Sequence, residues 1–137
     1  MLRSLLFVGR TKGRVPCGEL DLEPSIFSCV QRFDELGITG GLLCANSYLA
    51  HLIEGTDEAI EKVYQDCHPA CAETGATLVM EETLEVRRFT KWTLVYAGGT
   101  AYVAERVREL VDGDLTADQR QARAQDMVQI MQLFAGS

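Results

Sequence analysis

The chain has no apolar run that approaches the ~20 residues needed to span a bilayer. It also lacks the excess of basic residues that marks a nucleic-acid partner. Lysine and arginine number 13 against 20 aspartates and glutamates, a formal net charge of −7 over 137 residues. That balance argues against DNA or RNA as a partner and against an anionic membrane surface. The N-terminal MLRSLLFVGRTKGR holds only a short apolar run with no small-residue cleavage site after it, so no signal peptide is expected and the cytoplasm is the expected location. Cysteines are few and odd in number: Cys17, Cys29, Cys44, Cys67 and Cys71. This is not the pattern of a disulfide framework, and Cys29 and Cys44, set in apolar surroundings, are expected as small core residues.

Several chemistries lack their motifs. The loop GRTKGR does not have the glycine spacing of either nucleotide fingerprint. Its Arg10, Lys12 and Arg14 can meet a phosphate, but such a segment is expected to be a solvated loop. No serine or cysteine stands at a usable spacing from a base, so no enzymatic activity is expected. In MEETLEVRRF, the carboxylates Glu81, Glu82 and Glu85 precede Arg87 and Arg88. A carboxylate pair can do acid–base work, yet the expected structure is a solvated connection. CHPAC brings Cys67, His68 and Cys71 together as weak metal candidates, but Pro69 disrupts their helix and structural zinc needs four ligands.

What is present is a globular pattern, 47% hydrophobic and 24% charged, with no repeat, low-complexity segment or linker to divide it. A strand is expected over Leu2–Arg10 and a loop over Gly13–Leu20. A helix beginning near Pro24 carries Ile26, Cys29, Val30, Phe33 and Leu36 at helical spacing and stops at Gly37. Strands follow over Ile38–Ala45 and Tyr48–Glu54, joined at Asn46–Ser47. Thr56 caps a second helix with Ala59, Ile60, Val63, Tyr64 and Cys67 on one face. Further strands are expected over Ala76–Met80 and Trp92–Ala97. The remainder is helical: Tyr102, Val103, Val107, Leu110 and Val111 form one stripe, Gly113 breaks it, and Thr116 with Gln119 has the form of a capping box. Met127, Val128, Ile130, Met131, Leu133 and Phe134 form a last apolar face.

The order βαββαββ is an α/β (α+β) arrangement: a ferredoxin-like split βαβ unit with a fifth strand. The expected architecture is a five-stranded mixed sheet with two helices on one face and the C-terminal helices on the other. Strand alternation groups Leu5 with Phe7 and Leu49 with His51 and Ile53. His51, one of two histidines, thus lies in the middle of a buried strand. It has three readings: a donor or acceptor to a ligand, a core histidine bonded to a backbone carbonyl or Tyr64, or a metal or haem ligand.

GITGGLLCANSYLAHLIEG, followed by a helix and then EETLEVRRFTKWTLVY, resembles the BLUF family of blue-light sensors that use FAD. The resemblance runs through Gly37-Ile38-Thr39-Gly40, the Leu42–Leu43 strand, the Asn46 turn, Glu54-Gly55, Arg88-Phe89 and Trp92. It implies a BLUF-like domain over residues 1–98, with residues 99–137 as a helical extension packed on the sheet in the same single domain. It also implies a flavin pocket with a first-strand Tyr that donates an electron and a proton. A third-strand Gln there rearranges its hydrogen bonds, a first-helix Asn holds the ring's polar edge, and a Met or Trp on the fifth strand packs nearby. These positions fall here on Phe7, His51, Phe33 and Leu94, with Trp92 kept. Four of the five depart from the family's set.

The expectation is therefore a sensory or regulatory domain without the normal flavin photocycle and without a cofactor. It signals through a protein partner or a homodimer contact on the C-terminal helices around Met127, Met131 and Phe134. One alternative is an FAD-binding photoreceptor with altered chemistry built on His51 and Trp92. The other is a module holding a metal or haem through His51 or His68 and the cysteines.

Overall fold

The computed structural model describes residues 1–10, 32–45, 48–63, 65, 77–98 and 101–135, of which Leu94 and residues 96–98 are described in backbone only. Five strands form one sheet: β1 (Leu2–Arg10), β2 (Thr39–Ala45), β3 (Tyr48–Thr56), β4 (Thr77–Leu84) and β5 (Trp92–Gly98). Their order across the sheet is β4-β1-β3-β2-β5. β1 lies antiparallel to both β3 and β4, β2 is antiparallel to β3, and β2 and β5 are parallel. This is the mixed five-stranded sheet expected of the split βαβ order.

Helical residues 32–36 (α1) and 57–63 (α2) cover one face. α3 (Ala101–Asp112) and α4 (Ala117–Ala135) cover the other. The alternation along β1 and β3 explains the division. Leu5 and Ile53 pack with Phe33, Ile38, Ala59, Ile60 and Val63, with Phe7 and Trp92 at the margin. Leu6, Val8, Ala50 and Leu52 pack with the buried stripes of α3 and α4.

Local signals close the elements. α1 ends at Gly37, whose φ of 73° is the left-handed conformation glycine adopts without a Cβ penalty. The Gly37 N–H donates to Asp34 O at 3.2 Å and the Ile38 N–H to Phe33 O at 2.8 Å, the paired bonds of a Schellman end. The Thr56 hydroxyl accepts from the Ala59 N–H at 3.1 Å and caps α2. Thr116 and Gln119 cap α4 reciprocally, at 3.2 and 3.0 Å. At Gly40 a Cβ would stand 2.0 Å from the Leu52 carbonyl oxygen, so β2 approaches β3 there more closely than any side chain allows. At the opposite end of the sheet, Asp112 accepts from Arg10 and from the Tyr48 hydroxyl, which ties the C-terminus of α3 to β1 and β3.

The structure corrects three expectations. Met127 and Met131 are not an exposed patch: both are fully buried against the sheet with Ala124 and Val128, and Phe134 packs at the edge of that core. A broad apolar face on a C-terminal helix is here the missing cover of the sheet. β4 continues four residues beyond Met80, to Leu84; there Glu81 pairs with Arg3 and Glu82 with Arg88. Cys44 is buried as expected, but it is disulfide-bonded; its partner lies outside the described residues.

Candidate functional site

β1 and β3 pair so that Phe7 lies directly opposite His51. On the other side of β3, His51 faces Leu42. β5 begins at Trp92, which pairs with Gly40 in the parallel ladder. α1 lays Phe33 over this region. Three of the sequence-predicted positions therefore meet. The centroids of Phe33 and His51 are 5.9 Å apart, those of Phe33 and Trp92 5.9 Å, and those of His51 and Trp92 5.8 Å at 85°. These are edge-on and tilted contacts of the kind aromatic quadrupoles favour. Phe33 is buried, and His51 and Trp92 are partly so. Phe7 packs against the same cluster. Leu94 pairs with Leu42 through its backbone. Cys67, His68, Cys71 and Tyr64 lie outside the described residues, and among the described residues no group of three or more His, Cys, Asp or Glu side chains is placed to hold a metal.

The Trp92 Nε1–H donates to His51 Nε2 at 2.9 Å. An indole nitrogen can only donate, so Nε2 is the unprotonated nitrogen and the imidazole proton sits on Nδ1. Trp92 is thus a partner of His51 that the sequence reading did not name; Tyr64, one of those it did name, lies outside the described residues. Burial pushes the His51 pKa down to about 4. The geometry agrees in sign, because a protonated ring would point a second N–H at the indole N–H. At neutral pH the group is a neutral acceptor held by an internal donor.

A second polar cluster, on the opposite face, was missed in the sequence. Glu54 is fully buried. Its Oε1 accepts from the Thr39 hydroxyl at 2.9 Å and from the Phe89 N–H at 3.1 Å, and its Oε2 accepts from the Arg88 N–H at 3.0 Å. Arg87 Nη1 donates to Thr39 Oγ1 at 2.9 Å, so the hydroxyl relays a donor from the guanidinium to the carboxylate. Arg88 Nη2 donates to Glu82 Oε1 at 2.8 Å. The expected solvated connection between β4 and β5 is thus fastened to the sheet, with Phe89 buried in the core. The signal was available: Glu54 shares its strand face with Ala50 and Leu52, so it is a carboxylate on an apolar face.

The sequence profile of the BLUF family, described as sensors of blue-light using FAD, matches residues 5–95. No curated protein matches the chain. Among solved structures, the photo-activated state of BlsA aligns with a TM-score of 0.67 at 14% identity, over 97% of this chain and 96% of that one. The dark state of BlrB, a BLUF protein, aligns at 0.62 and 20%, over 99% and 97%. Klebsiella pneumoniae BlrP1, in a structure with FMN and cyclic diGMP, aligns at 0.52 and 24% over 69% of this chain, but this covers only 26% of BlrP1. At these identities the likeness is one of fold.

Proposed function

The chain belongs to the BLUF family, and from that premise we propose that it is a non-enzymatic sensory or regulatory domain that acts through a protein partner without the family's flavin photocycle. One observation carries the reading. The three positions where the family resemblance sets polar or packing contacts to the flavin, Phe33, His51 and Trp92, are packed on one another, and the polar atoms of the last two are bonded together.

The residues present do not fit the flavin that the family binds. Phe7 and Phe33 carry no polar side-chain atom, so they can neither pass a proton nor satisfy the polar edge of a flavin ring. The indole N–H and the imidazole acceptor already satisfy each other. Ring centroids 5.8–5.9 Å apart leave no slot between them for a third aromatic plane. The same bond occupies the imidazole nitrogen that a metal or haem would need. Incubating the purified protein with excess FAD, desalting it and recording its absorbance tests the proposal. The expected spectrum has no flavin band and does not change on blue illumination. A retained flavin band would replace this reading with that of a photoreceptor using His51 in altered chemistry.

The partner contact belongs, in this reading, to the outer surface of residues 99–137, with residues 1–98 as the sensing unit. With Met127 and Met131 buried, the large apolar side chains exposed on α3 and α4 are Tyr102 and Leu133, at 60% and 74%. No described helix is long and apolar enough to cross a membrane. Leu133→Glu is expected to leave melting unchanged and to weaken association with that partner at least tenfold in a titration. A binding curve identical to wild type would move the contact elsewhere.

A further inference from the structure

Two buried polar atoms at one end of the sheet have no partner among the described residues: Ser4 Oγ and Arg88 Nη1. Ser4 itself is only 1% exposed. It sits in β1 between two acidic neighbours on the same face, opposite Glu54 of β3 and opposite Glu82 of β4. Directly opposed strand residues have Cβ atoms about 5 Å apart. Arg88 bridges those same two neighbours. Its backbone N–H is on the Glu54 carboxylate and its Nη2 on the Glu82 carboxylate. Ser4 and Arg88 therefore share both carboxylate neighbours, and Nη1 is buried.

We propose that Ser4 Oγ and Arg88 Nη1 share one internal water molecule beneath the β4–β5 connection. A buried hydroxyl or guanidinium N–H left without a partner is strongly disfavoured. A water is retained inside a protein where the site is polar and supplies two to four partners. Here it accepts from Arg88 Nη1–H, exchanges a hydrogen bond with Ser4 Oγ, and donates its remaining proton toward Glu54 or Glu82. The charges select water over other small ligands. Two carboxylates repel an anion, and the guanidinium pointing into the site repels a metal cation. The water fastens β1, β4 and residues 85–91 at one point, and the last of these lead directly into Trp92.

Ser4→Ala decides between a wet and a dry site by the sign of its effect. If the water is present, the substitution strips it of a partner, and the melting temperature is expected to fall by about 3–5 °C. If the site is dry, the substitution removes an unsatisfied polar atom, and an unchanged or higher melting temperature overturns the proposal. A crystal structure showing ordered solvent gives an independent check. A single water peak within hydrogen-bonding distance of both Ser4 Oγ and Arg88 Nη1 is expected. An empty site, or a peak that refines as an ion, also overturns it.

Discussion

Glu54→Ala is expected to destabilise the domain by roughly 3–5 kcal/mol, the cost of removing one partner from a buried charged network. The carboxylate accepts three hydrogen bonds, from Thr39 Oγ1, Arg88 N and Phe89 N. Hydrogen bonds to charged groups contribute about 1.5–3 kcal/mol each, and truncation leaves the two backbone donors with nothing to bond. Part of this is offset by the desolvation that a buried carboxylate no longer requires. Arg87 would lose the carboxylate that it reaches through Thr39 Oγ1, while the Arg88 guanidinium keeps its ion pair with Glu82. Glu54→Gln keeps one oxygen but turns an NH₂ group toward a backbone N–H, so it should fall between wild type and Ala. Chemical denaturation of the three proteins measures the order. A loss below about 1 kcal/mol for Glu54→Ala would mean that the connection between β4 and β5 is held by Phe89 packing alone.

His51 should make stability depend on pH in a direction opposite to that of an ion-paired histidine. Its pKa is about 4 in the folded protein against 6.5 for the ordinary side chain. Between these values the unfolded chain binds a proton that the folded chain does not. The stability that His51 confers is therefore complete above about pH 6.5 and is lost as pH falls toward 4. At ~1.4 kcal/mol per pKa unit, lowering the pH from 7 to 4.5 removes roughly 2–3 kcal/mol through this group. Carboxylates that titrate in the same range contribute equally to wild type and to His51→Gln, so the difference between the two proteins isolates the imidazole. Denaturation at pH 7 and 4.5 should show the wild type losing more, with a change in Trp92 fluorescence as its N–H loses an acceptor. Equal losses in both proteins would mean that His51 is solvated.

Local pattern made much of the fold legible. The helix ends at Gly37, Thr56 and Thr116–Gln119 could be read because caps depend on residues within one turn. The sheet faces could be read because alternation is a local property. The two polar clusters could not. Trp92 donates to a ring 41 residues earlier in the chain, and Glu54 receives N–H groups 34 and 35 residues later. Such partners follow from strand register, which periodicity does not supply. The positions Phe7, Phe33, His51 and Trp92 were found through family resemblance, but the resemblance could not say that Phe33, His51 and Trp92 would close on one another. Met127 and Met131 were misplaced for a different reason. An apolar helix face reads identically in sequence whether a sheet or another protein covers it.

β5 is an edge strand, and edges are where sheets ordinarily fray first. β3 fastens this one from both sides of the sheet. His51 holds the Trp92 side chain on one face, and Glu54, three residues on, holds the backbone just before Trp92 on the other. Peeling β5 away from its Trp92 end must break the His51 attachment along with its ladder to β2, and the Glu54 bonds hold the segment that leads into it. The free energy of opening this edge is thereby drawn toward that of unfolding the whole domain. Movement in this region is thereby coupled to the sheet's centre.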